Sequence, residues 1–365
     1  MKKRNINLDL IRCVAVLFVV SVHFCLNSGF YNIPCAGMRM LIVCILRTAF
    51  ITCVPLFLML TGYLMNKKEL KLSYYKGIKK TYILYIIICI LCLAFRVLVQ
   101  HEKLMIRQMI LSIFDFTANK YSWYIEMYIG LFLLIPFLNI LWNNMDSVKQ
   151  KWLIVTLLCV STLPSLLNCW NIFMIESDTR VYNSIIPAYW ENLHFFTYYF
   201  LGAYLSDRKI KIKLQRNIVI LIGLMVIFGC FTYYRSYNTP YEWTAYNSYQ
   251  GIQVVIITFL LFRILLALPV EKSPNIIKSV IYKISEFSLG IYLASAITDA
   301  VIYPELIEKV TNAVRRMDYL PIVVSLSFIA ALIISGAANI IYKIFADCRA
   351  KRTSVPYSAD SLRHN

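Results

Sequence analysis

The sequence predicts an all-α, polytopic membrane bundle of about ten transmembrane helices with both termini cytoplasmic, and three observations carry that expectation. Of the 365 residues, 59% are hydrophobic and only 15% are charged, against roughly 25% charged in a soluble globular chain. The mean hydropathy is +0.64, and the apolar residues lie in blocks long enough to cross a hydrocarbon core, which takes roughly 20 residues of helix. The basic residues are asymmetric: with the N-terminus inside, 24 of the 37 fall on inner segments, 9 on outer ones and four within spans, as the positive-inside rule requires. A soluble enzyme cannot bury this much apolar surface in one core. With only 11 Gly and 11 Pro, collagenous and disordered chains are excluded as well.

The expected spans are residues 6–28, 39–65, 81–99, 123–142, 151–167, 193–206, 217–234, 250–270, 285–303 and 320–342. No period-two alternation marks a barrel. The first span carries Asp9 and Arg12 and no small-residue cleavage site, so it is expected to stay as a helix rather than leave as a signal peptide. Residues 1–346 are expected to form one transmembrane domain and 347–365 a short polar cytoplasmic tail. The net charge of +18 is accounted for by orientation and anionic-lipid contact, with no nucleic-acid partner. Most of the eleven cysteines lie inside spans. Cys89 and Cys92 form a C-x-x-C pair that suits packing in an apolar helix, and Cys35 and Cys169 are the two in outer loops, where one disulfide is conceivable. No metal site is expected.

Ionisable groups at membrane depth are costly, so each is a site candidate by default. Arg12 and His23 are eleven residues apart, which at about 100° per residue returns to nearly the same face after a rise of about 16 Å. The stripe reads Asp9, Arg12, Val16, Val19, Val20, His23, Asn27: polar at its ends and apolar between. Arginine presents a planar fork to phosphate oxygens, and histidine trades protons near neutral pH or accepts an acyl group. The alternative is an Asp9–Arg12 ion pair with His23 packed beside it. A second stripe, Ser288, Tyr292, Ser295 and Asp299, shares one face of the ninth span, where hydroxyls between helices are the simpler explanation. Glu126 and His194 are further acid–base candidates, and Arg47, Arg96 and Arg263 are charged without an assigned use. The outer aromatics Tyr241, Trp243, Tyr246 and Tyr249 suit either a sugar ring or an interfacial belt.

Several segments resemble acyltransferase family 3, the polytopic membrane acyltransferases that modify surface glycans and lipids. "INLDLIRCVAVLFVVSVHF" is similar to that family's first helix, with its Arg-x10-His at Arg12 and His23. "VPLFLMLTGYLM" resembles its second helix, with Thr61 where serine is usual, and "WYIEMYIGLFLLIPFLN" resembles its Trp-Tyr segment ending in Ile-Pro. "YYFLGAYLSDRK" and "SEFSLGIYLAS" are similar to its Leu-Gly-Tyr-Tyr and Ser-x-Gly-Ile-Tyr-Leu segments. Two positions depart. Ser295 stands where many relatives have histidine, and Ile51 where many have arginine, with Arg47 one turn away.

The resemblance implies an O-acetyltransferase of a bacterial cytoplasmic membrane. The donor would be cytoplasmic acetyl-CoA as co-substrate and the acceptor a hydroxyl of a cell-surface polysaccharide or lipid-linked sugar. In that reading His23 is base or acyl acceptor, helped by Glu126 and His194; Arg12 and Arg47 bind the donor; and Asn27, Trp243, Tyr246 and Tyr292 meet the acceptor. A transporter or flippase of a glycan precursor is the rival class, since intramembrane charge also serves translocation.

Overall fold

The computed structural model describes residues 4–168, 187–208 and 212–353. Nine helical stretches among these are long and apolar enough to cross a membrane, and the described residues form an all-helical bundle. Cys169, most of the outer segment around it, and the chain beyond residue 353 lie outside the described residues.

Helix α1 (Ile6–Asn27) begins where Asn5 accepts a hydrogen bond from the Asn7 amide. It ends at Gly29, whose φ of 91° turns the chain into a left-handed conformation that glycine adopts at little cost. The second span is two helices, α2 (Gly37–Phe50) and α3 (Cys53–Met65). Pro55 explains the break: it has no N–H to give Ile51, and its ring crowds that carbonyl. Thr52 helps close the gap by returning both its amide and its hydroxyl to the Ala49 carbonyl.

The remaining long helices are α4 (Lys79–Leu98), α5 (Trp123–Asn143), α6 (Ser147–Ser161), α7 (His194–Asp207), α8 (Leu214–Arg235), α9 (Ile252–Ala267), α10 (Asn275–Lys309) and α11 (Leu320–Thr353). Helix α10, at 35 residues, is about 52 Å long at 1.5 Å per residue and overshoots the hydrocarbon on that basis. Helix α7, the sixth expected span, has only 14 residues, about 21 Å. Helix α11 runs on past residue 346.

The short α7 gains its place by close packing. A Cβ at Gly62 of α3 would collide with the Tyr199 carbonyl of α7, and one at Gly202 of α7 would collide with the Met59 carbonyl of α3. Two glycines therefore let the backbones touch reciprocally, the small-residue device of membrane helices. Gly290 of α10 makes room instead for the Ser335 side chain of α11. All three glycines sit in the family-like segments, so those segments are partly packing motifs. The inner ends are tied by polar side chains: Asn139 donates to the carbonyls of Met65 and Lys68 and accepts from the Tyr199 hydroxyl, while Trp142 donates to Asp207. At the start of α1, Asn7 donates to the Leu265 and Leu268 carbonyls, which the end of α9 leaves without helical partners.

Valine at Gly62 or Gly202 should lower stability by about 1–3 kcal/mol or more, as for forced overpacking. Gly223→Ala, inside α8 with nothing within 4 Å of the added carbon, is expected to leave stability unchanged or raise it by up to about 1 kcal/mol. Equal melting of all three variants in one detergent would refute the reciprocal contact.

Candidate active site

The site is built on the seam between α1 and α10. Ser285 Oγ donates to Asp9 Oδ1 at 2.5 Å, and His23 Nδ1 lies 3.2 Å from Asp299 Oδ2. Both pairs are 276 positions apart, so the helices run parallel and in one register. The two contacts are fourteen residues apart on each helix, which is two heptads, the interval over which a left-handed parallel pair keeps one seam.

His23 is buried, with 5% of its surface exposed, and its surroundings fix its tautomer. Ser295 Oγ gives its proton to the Tyr292 carbonyl at 2.6 Å and turns a lone pair toward His23 Nδ1 at 3.1 Å. Asp299 Oδ2 is an acceptor as well. With acceptors on both approaches to Nδ1, that nitrogen carries the hydrogen, and the lone pair of the neutral imidazole resides on Nε2. Asp299 is itself held: Tyr121 donates to Oδ2 at 2.8 Å and Ser327 of α11 to Oδ1 at 2.9 Å. The Tyr121 ring stacks on the imidazole with centroids 3.6 Å apart. Tyr121 is positioned by Asn119, which accepts from its amide and donates to the Leu293 carbonyl of α10.

At the other end of the seam, Arg4 takes Asp9 in a two-pronged pair at 2.8 Å, whereas Arg12 reaches Asp9 only at 3.4 Å and donates to Ser285 at 2.9 Å. Asp9 is thus largely neutralised by Arg4, which leaves Arg12 a surplus cation. Arg12 lines a cavity of about 260 Å³ with Val19, Thr61, Tyr124, Tyr128 and Tyr292. Its upper wall, Val19 and Tyr292, lies one turn short of His23, with the Tyr292 ring centroid 6.4 Å from the imidazole. Tyr128 and Met65 also line a second cleft of about 460 Å³, which carries Lys67, Lys68, Glu69 and Lys71. A lysine-lined entrance therefore adjoins a largely apolar cavity that rises along α1 toward the histidine.

Of the residues expected from sequence, Arg12, His23, Asn27 and Tyr292 come together on this seam. Asn27 serves the histidine network: its amide donates to the His23 carbonyl and the Tyr121 hydroxyl, and its oxygen accepts from Lys120. Tyr292 donates to the Tyr121 carbonyl and walls the cavity. Glu126 is exposed on the surface of α5, turned away because Tyr124 and Ile125 occupy the inward face. His194 begins α7, with Nδ1 at 2.8 Å from the Glu191 carbonyl. Arg47 does not line the Arg12 cavity; it is wholly buried against Tyr31, Tyr241 and Trp243. Trp243 is 43% exposed, but Tyr246 is buried, its ring 5.7 Å from Phe231.

Asp299 and Tyr121 are the functional neighbours that sequence reasoning missed as partners of His23. Asp299 was visible as the end of a polar stripe, though nothing in the pattern told which helix the stripe meets. Nitrogen-15 NMR of histidine-labelled protein should find His23 protonated at Nδ1 in its neutral form. Asp299→Asn, which removes the charged acceptor, should shift the population toward the Nε2–H tautomer; an unchanged spectrum would contradict the assignment.

A model of the acyltransferase domain, Acyl_transf_3, matches residues 5–338. No curated protein and no solved structure matches the chain. The match takes in α1, α10 and the glycine-packed helices between them. The chain therefore belongs to acyltransferase family 3 and is a multi-pass membrane acyltransferase.

Proposed function

We propose that this acyltransferase moves an acetyl group from cytoplasmic acetyl-CoA to a hydroxyl of an extracytoplasmic glycan or lipid-linked sugar in a bacterial cytoplasmic membrane. The carrying observation is the seam itself: a histidine with its Nδ1 paired to a carboxylate, above a cavity that Arg12 lines and that adjoins a lysine-lined cleft. The donor is a long molecule with phosphates at one end and a thioester at the other. Lys68 supplies positive charge for the phosphates at the inner entrance, and Lys67 and Lys71, paired with Asp207 and Glu69 on the exposed surface, would exchange those partners for phosphate. Arg12 adds a planar donor fork deeper in, and the apolar cavity suits the flexible arm.

In the transfer, His23 Nε2 takes the proton of the acceptor hydroxyl as that oxygen attacks the thioester carbonyl. A carbon–oxygen bond forms and the carbon–sulfur bond then breaks. The departing thiolate recovers the proton from Nε2, so the histidine ends as it began. Asp299 stabilises the transient imidazolium and holds the ring's orientation, as the carboxylate of a hydrolase triad does. The lone pair on Nε2 serves either as base or as nucleophile; acetyl that accumulates on the protein with acetyl-CoA alone would mark the acyl-histidine route, and its absence the direct one.

The test is transfer of labelled acetyl from acetyl-CoA to glycan by purified protein in detergent, where a transporter has no compartments to act between. His23→Ala should lower turnover by about two to four orders of magnitude, as for loss of a general base. Asp299→Asn should fall within a similar range while binding acetyl-CoA normally. Arg12→Lys and the triple Lys67, Lys68, Lys71→Ala variant should chiefly raise the KM for acetyl-CoA. Full turnover by His23→Ala would eliminate its catalytic role, and absence of transfer to any glycan would return the transporter reading.

A further inference from the structure

Arg47 presents a separate problem. It lies in the last turn of α2 with 1% of its surface exposed, and no carboxylate pairs with it among the described residues. Its Nε donates to the Tyr31 hydroxyl at 2.9 Å and its Nη1 to the Asn247 carbonyl at 2.7 Å, while Nη2 has no hydrogen-bond partner. The rings of Tyr31, Tyr241 and Trp243 lie 5.7, 4.9 and 5.1 Å from its guanidinium carbon. The nearby acid of the same outer segment, Glu242, is committed to Arg235 through two bonds of 2.7 and 2.6 Å. Cation–π contacts recover part of the cost of burying a guanidinium, but they do not neutralise it.

Beside it stands a second unsatisfied donor. The Tyr241 hydroxyl is buried without a partner among the described residues, although buried polar groups are almost always paired. The segment bearing Tyr241 and Trp243 is otherwise firmly tied down. Cys35 donates its amide to the Thr239 carbonyl, Glu242 its amide to Ser236 Oγ, and Trp243 its Nε1 to Ser248. Trp243 stacks on Tyr31 at 4.8 Å and is the half-exposed wall of the cage.

We propose that Arg47 and Tyr241 form a receptor for an anionic oxygen group, a carboxylate or a phosphate, reached from the outer face past Trp243, and that the acceptor carries that group. The preferred acceptor is then an acidic or phosphate-bearing sugar rather than a neutral one. Naming the ligand as acceptor rests on the acetyl-transfer reading; the anion site itself does not.

The experiment measures binding to purified full-length protein in neutral-lipid nanodiscs, with glucuronic acid, glucose 1-phosphate and glucose as probes. Wild type should bind the two anionic sugars at least tenfold more tightly than glucose. Arg47→Gln should abolish that preference while leaving CoA binding intact. Because Arg47→Gln also breaks two native hydrogen bonds, Tyr241→Phe is the decisive companion. It removes a hydroxyl that has no partner, so melting should be unchanged while anionic-sugar affinity falls severalfold. Equal binding of glucose and the anionic sugars, or full anion preference in both variants, overturns the receptor. Nanodiscs with phosphatidylglycerol test the other source of phosphate: if that lipid occupies the site and neither anionic sugar competes, the acceptor assignment falls. Wild-type protein that binds the anionic sugars but transfers acetyl to neutral glycans and not to anionic ones would overturn the acceptor assignment while leaving the receptor standing.

Discussion

The pairing of α1 with α10 in one fixed register is the interaction on which the site depends. Hydrocarbon offers no partner to a carboxylate, an imidazole or a guanidinium, so each must find one inside the bundle. Here the partners are reciprocal. Helix α1 brings Asp9, Arg12 and His23; α10 brings Ser285, Ser295 and Asp299. A slip of one residue would rotate a helix by about 100° and leave several of these groups buried and unpaired at once. The polar seam thus sets the register of two long apolar helices that hydrophobicity alone would let slide.

The same seam explains why further elements converge there. Helix α11 supplies Ser327 to Asp299, and the turn before α5 supplies Tyr121 to both Asp299 and the imidazole face. Gly290 brings α11 close to α10 in the stretch that leads up to Asp299. The short α7 is a different case. It contributes no described contact to His23, yet its reciprocal glycine contact with α3 braces a helix whose Thr61, Leu64 and Met65 wall the cavity. Packing at Gly62 and Gly202 therefore acts on the shape of the cavity from its far side.

Much of this was legible in the chain and some was not, for definable reasons. Helical period is a local property, so the stripe from Arg12 to His23 and the stripe from Ser288 to Asp299 could each be read from spacing alone. Their meeting is a long-range fact across 276 positions, and a polar stripe says only that its face turns inward. Glu126 and His194 stand out by side-chain chemistry, which carries no information on which way a side chain faces. Glu126 sits on the surface of α5 because inward and outward positions alternate within a single turn there. Arg47 lies one turn from Ile51 in sequence, but α2 descends from the outer loops, and Pro55 breaks the span before Arg47 can share a wall with Arg12. The lysines of residues 66–80 were counted as orientation signals, and their second use as a cleft lining depends on how the loop folds back over Tyr74 and Phe132.

A transfer between two reactants that never share a solvent sets its own constraint. The reacting groups must meet at one point, while water and ions must not pass through it. A wide channel through His23 would satisfy the first condition and fail the second. In the described arrangement Val19 and Tyr292 line the Arg12 cavity, and Tyr292 is bonded to the Tyr121 backbone whose ring covers the imidazole. On the proposed reading the donor's thin arm needs only to displace or pass one tyrosine to present its thioester. Aromatic rings suit that boundary, since they exclude water by area yet can be anchored through a single hydroxyl. On that reading Tyr121, which stacks on the imidazole and donates to its partner Asp299, and Tyr292, which bonds to the Tyr121 backbone, couple tightness to the geometry around the histidine.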